Sequence, residues 1–161
     1  MIRPEIPLAG VIGDPISHSL SPRLHGHWLK RYGLKGHYVP LHVAHNALAD
    51  VLRILPDMGF VGVNITIPHK EYVLSLATQI SDRAALIGAA NTLTFLGNGQ
   101  IQADNTDGIG FLSNIRQHLP GWTAASGPAL VLGAGGAAKA IVSALINDGA
   151  PKVIVVNRTR M

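Results

Sequence analysis

The chain has 161 residues, 47% of them hydrophobic and 14% charged, which fits a folded globular protein and excludes a disordered or fibrous one. Its 13 basic and 9 acidic residues leave a net charge of +4, scattered with no basic–aromatic stripe, so nucleic acid is not expected as a partner while small anions are. The absence of cysteine excludes disulfides and thiol chemistry, and no stretch nears the roughly 18 apolar residues of a membrane span, so no membrane partner is expected.

The run Leu8-Ala9-Gly10-Val11-Ile12-Gly13 ends in Gly-Asp-Pro and predicts a buried strand followed by a loop. No apolar signal-peptide core precedes it, which makes the cytoplasm the expected location. Ser21-Pro22 predicts a helix start, with Ser21 as N-cap and Pro22 in the first turn. Leu24, Trp28 and Tyr32 recur every four residues and are expected to face the core, and Gly33 ends the helix. A strand over 37–43 and an amphipathic helix over 47–55 follow, the latter closed by Pro56 and Gly59. Residues 61–67 predict a strand, and Pro68 a third helix. A short helix over 82–87 precedes two strands, 90–96 and 100–104, joined through Gly97-Asn98-Gly99 as a hairpin. Residues 107–119 predict a connecting helix, and 121–128 a linker. A new βαβ unit then begins, with strands over 129–132 and 152–156 around a helix over 137–147. Strands alternating with helices, plus one hairpin, predict an α/β fold with a mixed sheet, divided into segments 1–106, 107–126 and 127–161.

The last segment carries Gly133-x-Gly135-x-x-Ala138 between a strand and a helix, the context in which a glycine turn binds a dinucleotide. Backbone N–H groups across Gly133, Ala134, Gly135, Gly136 and Ala137 are placed to cradle a pyrophosphate at a helix N-terminus. A tight structural turn is the plainer alternative. Its second strand ends Val155-Val156-Asn157-Arg158-Thr159, with no acid for a ribose hydroxyl and a guanidinium suited to a 2′-phosphate. The cofactor expected is therefore NADP rather than NAD, unless Arg158 is merely solvated. The eight histidines lack carboxylate or cysteine partners at ligand spacing, and no metal is expected.

Three polar clusters fall at the predicted strand ends, where sites form in open α/β sheets. They are His18-Ser19-Leu20-Ser21-Pro22, Asn64-Ile65-Thr66-Ile67-Pro68-His69-Lys70, and Gly88-Ala89-Ala90-Asn91-Thr92 with Asp104-Asn105-Thr106-Asp107-Gly108. Their hydroxyls, amides, lysine and aspartate suit a polyhydroxylated anion. In this order, and followed by the glycine turn and Asn157-Arg158-Thr159, they resemble the shikimate dehydrogenase family from Gly13 to Arg160. The resemblance implies a shikimate-binding substrate domain followed by the first βαβ unit of a Rossmann NADP-binding domain. It implies NADP-dependent reduction of 3-dehydroshikimate to shikimate in aromatic amino-acid biosynthesis. Ser19 and Ser21 would hold the substrate carboxylate, and Asn64, Thr66 and Asn91 the substrate and its ring hydroxyls. Lys70 and Asp107 would be the catalytic pair, and Asn157, Arg158 and Thr159 would bind the 2′-phosphate.

Independently of the family, reduction of a ketone builds an alkoxide that needs a proton donor, and a lysine in the first turn of a helix starting at Pro68 would feel the positive dipole end. Asp107 as a simple helix cap, Ser21 as a cap and Lys70 as a surface lysine are the bland alternatives, and His18 and His69 read as structural or pocket-lining. The resemblance further implies that the chain is C-terminally truncated. An incomplete βαβ unit would expose an apolar face and a sheet edge, with little turnover by these residues alone and homo-oligomer formation through that surface as one outcome. A dual quinate and shikimate specificity, and a non-catalytic binding module, remain the alternative functions.

Overall fold

The computed structural model describes residues 5–159; residues 1–4 and 160–161, including the outermost ends of the first and last segments and the Arg160 end of the resemblance, lie outside the described residues. The apolar run Leu8–Gly13 forms β1, and His37–His42 (β2) and Phe60–Ile65 (β3) pair with it in parallel on either side. Parallel neighbours need crossovers, and α1 (Ser21–Arg31) and α2 (Leu48–Ile54) supply them. Thr92–Gly97 (β5) and Gln100–Asp104 (β6) form the expected hairpin, turning through Asn98 and Gly99 at positive φ. β5 lies antiparallel to β3, and a two-residue strand, Gln79–Ile80 (β4), lies parallel to β6. The order β2-β1-β3-β5-β6-β4 is the mixed sheet that the sequence predicts. β4 is too short to leave a period-2 pattern, and the sequence reading missed it.

One face of this sheet holds the core. Ile12, Leu48, Leu52, Ile65, Val73 and Leu93 are essentially sealed from water. Each such side chain contributes about 1.5–3 kcal/mol of transfer free energy, so the strands that end at the polar clusters are firmly anchored. Asp82–Ile87 (α3) is capped by Ser81, whose Oγ accepts from the Ala84 N–H, and closed by Gly88 in the left-handed region.

α4 (Asp107–His118) leads to the βαβ unit of β7 (Ala129–Leu132), α5 (Gly136–Asn147) and β8 (Val153–Val156). β7 and β8 pair in parallel as a separate two-stranded sheet. α5 packs on α4 where Gly108 leaves room: a Cβ there would stand 2.8 Å from the Ala140 carbonyl oxygen and 2.9 Å from the Ala144 Cβ. The outer sides of β7 and β8 expose Leu130, Leu132 and Ile154, the apolar face expected of a lone unit.

Several expectations need correction. The N-cap of α1 is Leu20, and Ser21 is the first helical residue; the nearby Ser19 Oγ accepts from the Ser21 N–H instead. Leu24, Trp28 and Tyr32 do not join the core, being 47%, 42% and 66% exposed, because among the described residues no other element covers that face of α1. No α-helix starts at Pro68. The Lys70 carbonyl accepts from the Ala90 N–H at 2.8 Å rather than from a following helical amide, and only a 3₁₀ segment, Tyr72–Leu76, forms. The strand before it ends at Ile65, two residues early, and the linker contains a 3₁₀ turn at Ala124–Ser126.

Candidate active site

The turn after β3 carries Lys70, and its bond to Ala90 draws it against the segment between α3 and β5. This leaves the lysine side chain only 16% exposed. Asp107, the first residue of α4, faces it. Lys70 Nζ donates to Asp107 Oδ2 at 2.5 Å. The other carboxylate oxygen is held by Asn91, whose Nδ2 donates to Oδ1 at 2.8 Å. Asn91 is itself locked: its Oδ1 accepts from the Thr106 N–H at 3.0 Å and from the Thr92 hydroxyl at 2.9 Å. Below it, the fully buried Asn105 donates to the Ala89 carbonyl at 2.8 Å and accepts the Asp107 N–H at 3.0 Å. Removing either partner of such a half-sealed pair strands a charge, so the cluster holds one geometry.

The cluster extends along β3. Asn64 Nδ2 donates to the Asn91 carbonyl at 3.2 Å and to Thr92 Oγ1 at 3.3 Å. Tyr38, on β2, donates its hydroxyl to Asn64 Oδ1 at 2.7 Å. Burial pushes the Tyr38 phenol up to about 12, a shift that a hydrogen bond from Ser21 partly offsets. One chain of hydrogen bonds therefore runs from Tyr38 through Asn64 and Asn91 to Asp107 and Lys70. Ser19 and Ser21 lie together at the start of α1, with the Ser19 Oγ accepting the Ser21 N–H at 3.3 Å. Thr66 shares the turn of Lys70, with its N–H on the Ile12 carbonyl and its Cγ2 against Gly13.

Because Pro68 starts no α-helix, Lys70 lies in a turn ahead of the 3₁₀ segment, and the expected helix-dipole influence on it has no structural basis. Asp107 is not a cap either; Thr106 holds the N-cap position, without a side-chain cap bond.

The glycine turn reaches the same place from the other side. Gly133 has φ +109, which favours glycine, and its N–H donates to the Val156 carbonyl at 2.7 Å. Gly135 forms the N-cap of α5 with no side chain bound to the first-turn amides. A Cβ on Gly133 or Gly135 would meet nothing within 4 Å, whereas one on Gly136 would lie 3.0 Å from the Lys70 Cβ. The turn thus has an open outer side, as a pyrophosphate cradle requires, and an inner side packed on Lys70. Asn157, Arg158 and Thr159 follow β8 beside it and are exposed, with Asn157 Nδ2 on the Thr159 carbonyl at 2.8 Å. This donor set and its open approach fit a phosphorylated dinucleotide. Lys139, one turn into α5, pairs with Glu71 at 2.6 Å and ties the two units together.

His69 is wholly buried and bonds the Val43 carbonyl through Nε2 at 2.8 Å, a structural role, while His18 is exposed. Among the described residues no three metal-ligating side chains cluster. Sequence reading missed Tyr38, Thr92 and Asn105 as members of the cluster. Thr92 and Asn105 were within the polar motifs, but Tyr38 lies 26 residues from Asn64 and nothing local marks it.

Residues 11–93 match the family model of the shikimate dehydrogenase substrate binding domain. The chain belongs to the shikimate dehydrogenase family. A shikimate dehydrogenase (NADP(+)) of Jannaschia sp. (strain CCS1) is 79% identical over 160 residues, which cover 99% of this chain and 58% of that protein. The shikimate dehydrogenase crystal structure from Aquifex aeolicus superposes with a TM-score of 0.89 at 38% identity, covering 99% of this chain and 58% of that one. A shikimate 5-dehydrogenase from Thermus thermophilus, solved in complex with NADP(H) and shikimate, gives a TM-score of 0.86 at 39% identity, covering 96% and 57%. The chain therefore spans a little over half the length of these shikimate dehydrogenase relatives.

Proposed function

We propose that this chain supplies the substrate domain (1–106), the connecting helix and linker (107–126) and the first βαβ unit (127–161) of an enzyme that reduces 3-dehydroshikimate to shikimate with NADPH. The observation that carries the reading is the Lys70–Asp107 pair at 2.5 Å, clamped by Asn91 and in contact with the glycine turn through Gly136. A proton source beside a nucleotide cradle is what reduction of a bound ketone requires.

Ser19 and Ser21 bind the substrate carboxylate, and Asn64, Thr66 and Asn91 its ring hydroxyls. Lys70 donates the proton to the oxygen that becomes an alcohol, and Asp107 holds the ammonium in position. Gly133 to Ala137 take the pyrophosphate, and Asn157, Arg158 and Thr159 the 2′-phosphate. NADPH supplies the hydride. The 79% identical relative, named for shikimate and NADP, supports both choices of ligand.

In a full-length enzyme carrying this segment, Lys70→Ala should lower kcat for dehydroshikimate reduction by about a hundredfold or more, the usual range for losing a general acid. An unchanged kcat would refute the assignment. The 161 residues expressed alone should oxidise NADPH with dehydroshikimate barely or not at all, since a dinucleotide fold needs two βαβαβ halves.

A further inference from the structure

We propose that Tyr38 is a positioning residue that aims the Asn64 carbonyl oxygen into the site, so that the position facing Asn64 selects a hydroxyl that donates a hydrogen bond. The inference rests on the shikimate reading above and extends it to specificity.

The polarity of the cluster can be followed proton by proton. The Asn91 main-chain carbonyl can only accept, so the Asn64 atom 3.2 Å from it is the amide nitrogen. The Thr92 hydroxyl spends its proton on Asn91 Oδ1, so it too accepts from Asn64. Both amide protons are thereby used inside the protein. Asn64 Oδ1 remains, and it takes the Tyr38 proton at 2.7 Å. A carbonyl oxygen has two lone pairs, and Tyr38 occupies one. The group left for a ligand is an acceptor, which a hydroxyl satisfies and a ketone or carboxylate oxygen does not.

Among the three bonds that orient the amide, the one from Tyr38 is the shortest, 2.7 Å against 3.2 and 3.3 Å. It therefore contributes most to fixing the amide plane. Tyr38 is itself held: its ring stacks on His25 with centroids 4.1 Å apart and planes 4° from parallel. The phenol keeps its proton to about pH 12, so it donates at every working pH. A carboxylate that recruits the Ser21 hydroxyl leaves this arrangement intact, because Tyr38 is the donor towards Asn64.

Tyr38→Phe removes one oxygen and keeps the stacked ring. In a full-length enzyme carrying this segment, shikimate oxidation by NADP+ should be compared with oxidation of 4-deoxyshikimate and 5-deoxyshikimate. The variant is expected to lower kcat/KM for shikimate about tenfold, as for one lost buried hydrogen bond. Its discrimination against one of the two analogues should fall by the same factor, because the hydroxyl missing from that analogue no longer has its partner. A purely structural role would lower all three rates together and leave both ratios unchanged, and that result would overturn the proposal. The Asn64 side-chain amide signals report on positioning without activity. Faster hydrogen exchange in Tyr38→Phe is expected, and unaltered exchange would likewise overturn it. No oxidation of shikimate by the unsubstituted enzyme would instead reject the functional reading, and the amide signals would still test the positioning.

Discussion

The backbone of Gly136, in the glycine turn, lies so close to Lys70 that a Cβ at position 136 would stand 3.0 Å from the Cβ of the lysine and 3.3 Å from that of Ala89. The turn and the lysine therefore form one packed unit, although 66 positions separate them in the chain. Gly135, one residue earlier, has open space where its Cβ would be.

This contrast predicts that Gly136→Ala displaces Lys70 and Gly135→Ala does not. In a full-length enzyme without nucleotide, calorimetric titration should find shikimate binding about tenfold weaker in Gly136→Ala, in line with the ~1–3 kcal/mol of an overpacked contact. Gly135→Ala should match the unsubstituted protein in the same titration. Equal affinities for all three would mean that the turn and the lysine are not mechanically coupled.

Gly108 makes the equivalent contact between α4 and α5. Gly108→Ala places a methyl 2.8 Å from the Ala140 carbonyl oxygen, which belongs to a helix backbone and cannot turn aside. Denaturant unfolding should report a loss of about 1–3 kcal/mol. Gly110→Ala, with nothing near its added Cβ, should be neutral or slightly stabilising through helix propensity.

Asp104 closes β6 with a dense set of partners. The Arg83 guanidinium above all holds its carboxyl below the ordinary carboxylate range; burial opposes it, and the Ser81 hydroxyl and the Asn105 N–H add to the lowering. The unfolded chain then takes up a proton before the folded one does. The stabilisation is complete above about pH 4, the unfolded value, and is lost as pH falls through the lower folded value. Asp104→Asn should lower stability at pH 7 and flatten its decline as pH falls below about 4, measured by thermal unfolding across the acid range.

Tyr38 gives the opposite limb. Its folded value of about 12 exceeds the ordinary tyrosine value of 10, so stability attached to the neutral phenol is present below pH 10 and is lost between about 10 and 12. Absorbance at the phenolate band should reveal one tyrosine ionising near 12, absent from the Tyr38→Phe curve. A set of tyrosines all ionising near 10 would contradict the burial and hydrogen bonding described for it.

Much of the fold is legible in the sequence because its signals are local. A short apolar run bounded by Gly-Asp-Pro makes β1, a Gly-Asn-Gly turn makes the β5–β6 hairpin, and a strand–glycine–helix sequence makes the β7–α5 corner. The Lys70 turn misleads because proline favours a first helical turn in isolation. What prevents the helix is a partner elsewhere, Ala90, whose N–H claims the Lys70 carbonyl. The amphipathic face of α1 imitates a core face for a related reason. A four-residue spacing tells which side of a helix is apolar, and only the surrounding elements tell whether that side is covered.

By itself, then, the sequence determined the residue types of the site, the kinds of element that carry them and the family to which they belong. Those properties depend on chemistry and on spacings of a few residues. Only the tertiary structure decided that Tyr38 meets Asn64, that Asn91 clamps Asp107 against Lys70 and that Gly136 rests on the lysine. Each of those contacts joins segments many residues apart, and their distances are set by the packing of strands and helices rather than by any local pattern.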